Sequence, residues 1–123
     1  MEHQSTINTA AIARQWLAAF NAHNLQDLLA LYDEDAVHYS PKLKARQPET
    51  GGFVRGRAAM EAWWEDALQR LPSLQYELVA LTADAKRVFM EYTRLVDGEA
   101  QLSVAEVLEI EDGRITASRV YHG

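Results

Sequence analysis

The sequence contains no cysteine among its 123 residues. Disulfides, zinc–thiolate sites and thiol catalysis are therefore excluded. The chain also lacks a G-x-S-x-G motif, a P-loop and an H-E-x-x-H motif, which are signatures of serine hydrolases, nucleotide-binding enzymes and zinc proteases. Its four histidines are scattered and do not indicate a metal site. Any activity is therefore expected to need neither a metal nor another cofactor.

Long apolar runs and positive charge are also scarce. No run approaches the roughly 18 residues that a membrane-spanning helix needs, and the opening M-E-H-Q-S-T-I-N lacks the basic and apolar regions of a signal peptide. The net charge of −6 argues against generic nucleic-acid binding. We therefore expect a cytoplasmic protein with no nucleic-acid or membrane partner, folded as one domain over residues 1–123.

The positive charge is concentrated in one segment. Residues 42–57 carry five basic side chains and one acidic side chain, so this segment has a net charge of 5 − 1 = +4 and the remainder carries −10. A basic segment on an acidic body can steer an anionic ligand toward a nearby site. The alternative is a solvated surface loop whose charges serve only solubility.

The most informative stretch is residues 101–110, Q-L-S-V-A-E-V-L-E-I, which alternates as a β-strand does. One face is apolar except at its centre, where Glu106 stands between Val104 and Leu108. An ionised carboxylate in an apolar row costs several kcal/mol to bury unless it is protonated or paired. Glu106 is therefore the leading candidate for a catalytic residue, and a structural ion pair is the alternative.

The remaining patterns predict three helices followed by antiparallel strands. Ser5 or Thr6 can cap the first helix, in which Trp16 and Phe20 share an apolar stripe. The predicted later elements are helices at 25–32 and 57–71 and strands at 36–40, 74–81, 87–96, 101–110 and 114–121. Residues 41–56 lack any period, so we expect a long loop that covers a site. This order predicts an α+β fold in which the helices and a curved, mostly antiparallel sheet enclose a conical pocket.

The element order and four segments resemble the nuclear transport factor 2-like superfamily, which has a cystatin-like fold, and especially its SnoaL-like polyketide-cyclase and ketosteroid-isomerase branch. The segments are W-L-A-A-F-N-A-H-N-L-Q-D-L, L-Y-D-E-D-A-V-H-Y-S-P, F-V-R-G-R-A-A-M-E-A-W-W and E-V-L-E-I-E-D-G-R-I. The resemblance covers nearly the whole chain. It is specific for the fold and weak for function, because one fold hosts many activities.

The resemblance implies a retained pocket with different chemistry. The isomerase's catalytic base falls at Ser40, which is not a carboxylate, and its phenolic oxyanion donor falls at Trp16. Its second oxyanion donor falls at Glu106, which matches in chemical type. Tyr32 matches a tyrosine of the same pocket and Trp64 replaces another. Steroid isomerisation is therefore not expected of this chain.

Two histidines join Glu106 as catalytic candidates. His38 shares one strand face with Ser40, and the resemblance turns that face toward the pocket; a structural histidine is the alternative. His122 depends on the register of the last hairpin. A three-residue loop sets Glu106 opposite Ser118 with His122 on the same side, whereas a two-residue Asp112-Gly113 turn sets Glu106 opposite Arg119 as an ion pair.

The pocket is expected to be lined by a mainly aromatic set of side chains. The predicted lining is Trp16, Phe20, Tyr32, Ser40, Trp64, Tyr92 and Ser118. The face of strand 87–96 that turns inward stays open, because the length of the loop around Asp97-Gly98 is not fixed. The other face of strand 101–110, with Ser103, Ala105 and Val107, offers a flat surface for a homodimer.

Three functions fit this pattern. The first is an acid–base enzyme of the isomerase, cyclase or hydratase type that acts on a small apolar or anionic cyclic substrate. The second is a non-catalytic protein that binds a small molecule in the same pocket. The third is a dimerisation module. The sequence leaves open whether the chain is an enzyme.

Overall fold

The computed structural model describes residues 8–122. The helices and strands are α1 (Thr9–Asn21), α2 (Leu25–Ala30), β1 (Tyr32–Tyr39), α3 (Pro41–Arg46), β2 (Phe53–Arg55), α4 (Arg57–Arg70), β3 (Gln75–Ala83), β4 (Arg87–Leu95), β5 (Leu102–Glu111) and β6 (Arg114–His122). The predicted caps Ser5 and Thr6 lie outside the described residues. Between residues 8 and 122 no helix is both long enough and apolar enough to span a bilayer.

The first helix buries the predicted stripe. Asn8 caps α1 by accepting a hydrogen bond from the backbone N–H of Ala11 at 3.1 Å. Ile12, Trp16 and Phe20, which recur at helical spacing, are all buried. α1 packs on β3 and β4, so its aromatic side chains point toward the inner face of the sheet.

The second helix is shorter than predicted, and the first strand is longer. α2 ends at Ala30, and Tyr32 opens β1 rather than closing the helix. The long strand has a physical cause, since β1 pairs in parallel with β6 from Tyr32 onward. Tyr32 is fully buried at this point.

The predicted long loop at 41–56 is wrong. Ser40 accepts a hydrogen bond from the backbone N–H of Lys42, and Pro41 occupies the first turn of α3. Both are favoured at helix N-termini. Leu43 is fully buried and anchors the helix. A 3₁₀ turn at Pro48–Thr50 and the short strand β2 complete the segment.

The six strands form one mostly antiparallel sheet in the order β2-β1-β6-β5-β4-β3. Helices α1 and α4 pack against it, with Met60 and Trp64 of α4 buried. This arrangement confirms the predicted α+β class, although the described residues contain four α-helices rather than three.

Neither proposed register of the last hairpin is correct. The turn is the two-residue Asp112-Gly113 type, because Glu111 pairs with Arg114. A bulge at Thr116 then shifts the pairing by one residue, so that Glu106 faces Val120. The bulge lets a tight turn coexist with the inward orientation of Glu106.

Candidate functional site

A cavity of about 290 Å³ lies between the helices and the inner face of the sheet. The helices α1, α3 and α4 supply one wall and strands β1 and β3 to β6 supply the other. The predicted residues that line it are Trp16, Phe20, His38, Ser40, Trp64, Tyr92, Glu106 and His122. The aromatic members come from α1, α4 and β4, so residues far apart in sequence meet at one site.

Two predicted lining residues, Tyr32 and Ser118, do not line the cavity. Both are fully buried behind its wall. The hydroxyl oxygen of Tyr32 lies 3.0 Å from Oγ of Ser118, and Nε1 of Trp16 donates to the Tyr32 hydroxyl at 3.1 Å. These two residues therefore support lining side chains rather than contacting the cavity.

Glu106 is the buried carboxyl group of the site. β5 keeps the predicted alternation, with Val104, Glu106 and Leu108 buried on the inner face. The hydroxyl of Tyr92 donates to Oε1 at 2.7 Å. Oε2 has no hydrogen-bond partner among the described residues although it is enclosed. One oxygen of the carboxyl group is therefore left for a ligand.

The protonation of Glu106 follows from its burial. Removal from water disfavours the carboxylate and raises the pKa of Glu106 to about 8, while the hydrogen bond from Tyr92 opposes this shift. Near neutral pH the group is mainly a carboxylic acid, and it ionises at mildly alkaline pH. A group poised in this range can both give and take a proton.

The ion-pair alternative for Glu106 is wrong. Arg119 faces the outer side of the sheet, where its Nη1 lies 2.6 Å from Oε2 of Glu109. The bulge in β6 is the cause, since it places Arg119 opposite Val107. Glu106 therefore has no cationic partner among the described residues.

His38 is held from behind by Ser118. Its Nδ1 lies 2.7 Å from Oγ of Ser118, and its ring packs 5.1 Å from that of Trp64. Burial lowers the pKa of His38 to about 3. The ring is therefore neutral over the physiological range, which argues against a role as an imidazolium acid.

His122 lies at the rim of the cavity. It pairs with Val104 across the β5–β6 ladder and is exposed. Partial burial and the nearby cations Lys42 and Arg94 lower its pKa. The structure thus brings His122 to the same cavity as Glu106 but in contact with solvent.

The sequence prediction missed Tyr76, which lies at the centre of the aromatic wall. Its ring stacks on Tyr92 at 4.2 Å and on Phe20 at 4.5 Å between centroids. Burial, followed by the nearby Glu106, raises its pKa. Tyr76 follows the start of β3, where the alternation of polar and apolar residues is a usable signal.

Basic residues line the cavity, and all of them except the buried Arg94 are exposed at its mouth. Lys42 and Arg46 come from α3, Arg70 from α4 and Arg94 from β4. Arg94 is paired with Glu99, and Arg70 is paired with an aspartate one turn earlier in its helix. Arg57, also in the basic segment, instead donates to the backbone carbonyl of Tyr32. Part of the predicted basic segment therefore faces the entrance, and part is structural.

Helices on a six-stranded, mostly antiparallel sheet with a cavity between the layers form the fold that is also seen in solved structures of cystatin-like and nuclear transport factor 2-like proteins. The family model of the SnoaL-like domain matches residues 13–118. The chain therefore belongs to the SnoaL-like domain family, as the sequence resemblance indicated. None of the curated proteins compared with the chain matches it.

Solved structures show the same fold. A SnoaL-like protein of unknown function from Burkholderia thailandensis E264 is 25% identical, with a TM-score of 0.83 and coverage of 99% of this chain and 97% of that chain. A candidate ketosteroid isomerase from Kribbella flavida DSM 17836 is 21% identical, with a TM-score of 0.75 and coverage of 98% and 78%. A candidate polyketide cyclase from Sinorhizobium meliloti is 19% identical, with a TM-score of 0.76 and coverage of 90% and 94%.

Among the described residues, no group of three or more His, Asp or Glu side chains is placed to hold a metal ion. The site instead combines one titratable carboxyl group, a neutral imidazole, an aromatic wall and a basic mouth. This combination suits proton transfer on a small organic ligand.

Proposed function

We propose that the protein is an acid–base enzyme of the isomerase, cyclase or hydratase type, in which Glu106 transfers the proton. The observation that carries this proposal is the buried carboxyl group with Oε2 unpartnered at the cavity. Burial without a cationic partner costs stability, and such a cost is typical of functional groups. Proton transfer by a positioned carboxyl group needs no cofactor.

The cavity favours a small cyclic substrate. Its volume of about 290 Å³ is near the lower end of ligand pockets, which span roughly 300–1,000 Å³. The stacked rings of Phe20, Tyr76 and Tyr92 offer a flat apolar wall. Lys42 and Arg46 at the mouth favour a substrate that carries an anionic group at the end away from Glu106.

A proton-exchange assay on a panel of small ketones tests the proposal. We would follow the exchange of α-protons of cyclic ketones, with and without a carboxylate, in D₂O by NMR. We expect wild type to accelerate exchange, with a rate that rises as pH approaches about 8 because the base is the ionised form of Glu106. Glu106→Gln should lower this rate by about 10²–10⁴.

The matched control is Glu109→Gln, which makes the same change on the outer face of the same strand. This variant should keep the wild-type rate. Ketones that bind wild type without accelerated exchange would instead identify a non-catalytic ligand-binding protein. Equal rates for wild type and Glu106→Gln would remove Glu106 from the mechanism.

We also propose that the protein is a homodimer that packs through the outer face of its sheet. Val79, Phe89 and Tyr121 are large apolar side chains that are 66%, 52% and 48% exposed. Val79 and Tyr121 border a shallow groove with the small residues Ser103 and Ala105. Clustered apolar exposure on one sheet face favours association, and two-fold dimers are the commonest assemblies.

Sedimentation at tens of micromolar tests this surface. We expect wild type to sediment as a dimer and Phe89→Glu to shift toward the monomer, because a carboxylate would be buried at the contact. Phe53→Glu is the control, since Phe53 is 44% exposed but lies in β2 at the far end of the sheet. A wild-type monomer, or equal shifts for both variants, would contradict the proposal.

A further inference from the structure

Four buried side chains form a continuous hydrogen-bonded row, in which Trp16 and His38 line the cavity and Tyr32 and Ser118 lie behind its wall. Nε1 of Trp16 lies 3.1 Å from the hydroxyl oxygen of Tyr32, which lies 3.0 Å from Oγ of Ser118. Oγ of Ser118 lies 2.7 Å from Nδ1 of His38. The four residues are at most 3% exposed, so their polar atoms need hydrogen-bond partners within the protein.

The donor and acceptor roles along this row are fixed by Trp16 at the end opposite His38. An indole N–H can only donate, so Tyr32 accepts from Trp16. The proton of the Tyr32 hydroxyl then has one acceptor among its described neighbours, Oγ of Ser118. The Ser118 hydroxyl in turn donates a hydrogen bond to Nδ1 of His38, so Nδ1 must carry a lone pair. A proton on Nδ1 would leave the proton of either Tyr32 or Ser118 buried without an acceptor among the described residues, which proteins avoid.

We infer that Trp16, Tyr32 and Ser118 hold His38 as the neutral tautomer with its proton on Nε2, and that His38 donates this proton in a hydrogen bond to an acceptor oxygen of the ligand. His38 lines the cavity, and Nε2 has no partner among residues 8–122. Nε2 is therefore the nitrogen available to a ligand. Trp16, Tyr32 and Ser118 act as positioning residues.

This tautomer gives His38 a role other than general base. Nδ1 is occupied by Ser118, and Nε2 already carries a proton. Burial away from any carboxylate partner also keeps the ring neutral. A fixed N–H donor in an enclosed site is suited to stabilising negative charge that develops on a carbonyl oxygen.

The ligand class follows from the two groups together. A ligand that fits both would carry a carbonyl, enol or phenol oxygen at His38 and an acidic C–H or a protonatable atom at Glu106. In a proton abstraction, ionised Glu106 takes the proton, the electron pair moves onto the carbonyl oxygen, and Nε2–H stabilises the resulting enolate. This assignment of the ligand rests on the proposed function, whereas the tautomer of His38 does not.

The test reads the tautomer directly in the ligand-free protein. Two-bond ¹H–¹⁵N correlation spectra of the full chain labelled with ¹⁵N distinguish a protonated ring nitrogen from one with a lone pair. We expect His38 to show a lone pair on Nδ1 and a proton on Nε2 from pH 5 to pH 8. His23 serves as an internal reference, because its Nε2 lies 2.8 Å from the carbonyl oxygen of Leu74 and donates to it when the ring is neutral.

A variant tests the cause of the tautomer. Ser118→Ala removes the hydroxyl that donates to Nδ1, so neither ring nitrogen is held as an acceptor and both tautomers of His38 should appear. The His23 signals should not change in this variant. If Ser118→Ala does not fold, the wild-type spectrum alone still decides the assignment.

Several outcomes would overturn the inference. These are a proton on Nδ1 of His38 in wild type, an imidazolium at pH 6, or an unchanged single tautomer in Ser118→Ala. None of them would affect the exchange assay of Glu106→Gln. Conversely, if the exchange assay shows no activity but His38 has the expected tautomer, the proposed reaction is wrong and the positioning role of Trp16, Tyr32 and Ser118 still holds.

Discussion

Replacing Glu106 by Gln should stabilise the protein relative to wild type by an amount that grows as the pH rises. We expect the free energy of unfolding of Glu106→Gln minus that of wild type to increase by about 3–4 kcal/mol from pH 5 to pH 8. This magnitude follows from about 1.4 kcal/mol per unit of pKa difference. Urea unfolding at several pH values measures this difference. Gln can still accept from Tyr92 through its amide oxygen, so the packing around Oε1 is kept.

The sign follows from the raised pKa of Glu106. Its pKa is about 8 in the folded protein and 4.5 ordinarily, so between these values the folded state holds a proton that the unfolded state has lost. Stability is therefore full below pH 4.5 and falls as the pH rises toward 8. Gln does not titrate, and it escapes this loss.

Glu109→Gln provides the comparison on the same strand. Glu109 and Arg119 are each about one-third exposed and form a surface pair, which contributes roughly 0–1 kcal/mol. Its difference from wild type should change little with pH. A difference curve for Glu106→Gln that is equally flat would show that Glu106 is ionised throughout, and the proposed proton chemistry would lose its basis.

The strand containing Glu106 shows how much local pattern can predict. The alternation in residues 101–110 correctly assigns Val104, Glu106 and Leu108 to the inner face, because side chains of a strand alternate whatever its partners are. The partner across the strand could not be predicted in the same way. A one-residue bulge at Thr116 decides it, and bulges leave little trace in sequence.

The segment 41–56 shows a different limit. Ser40 followed by Pro41 is a helix-start signal, but a proline directly after a strand pattern equally predicts the end of that strand. α3 has six residues, which is too short for a helical period to be visible. Its order depends on burial of Leu43, and tertiary contacts of this kind are not encoded in any window of the sequence.

The positioning row shows the same limit for function. His38 and Glu106 can be selected from their strands, but the sequence assigns Tyr32 and Ser118 to the cavity lining rather than to the layer behind it. Their roles arise from contacts across 86 positions of the chain. Only the parallel pairing of β1 with β6 brings them together.

The two titratable groups of the cavity should have opposite effects on stability. Burial raises the pKa of Glu106 and lowers that of His38, so each is neutral near pH 6. Alkaline pH then penalises the folded state through Glu106, and acid penalises it through His38. A cavity that keeps both groups neutral suits an uncharged reacting end of the ligand.

Replacing His38 by Gln should therefore protect the protein against acid. The pKa of His38 is about 3 when folded and 6.5 ordinarily, so between these values the unfolded state binds a proton that the folded state does not. The contribution of His38 is present above pH 6.5 and is lost as the pH falls toward 3. We expect the free energy of unfolding of His38→Gln minus that of wild type, measured by urea unfolding, to increase by about 3 kcal/mol when the pH is lowered from 7 to 4.

The slope of the difference curve, rather than its offset, tests this prediction. His38→Gln also changes the packing against Trp64, which shifts stability equally at every pH. His122→Gln is the control, because His122 is exposed at the rim and its substitution should change the slope by less than about 1 kcal/mol over the same range. If the two variants gave the same slope, His38 would be protonated in the folded state over this pH range. The proposed role of neutral His38 as an Nε2–H donor would then be wrong.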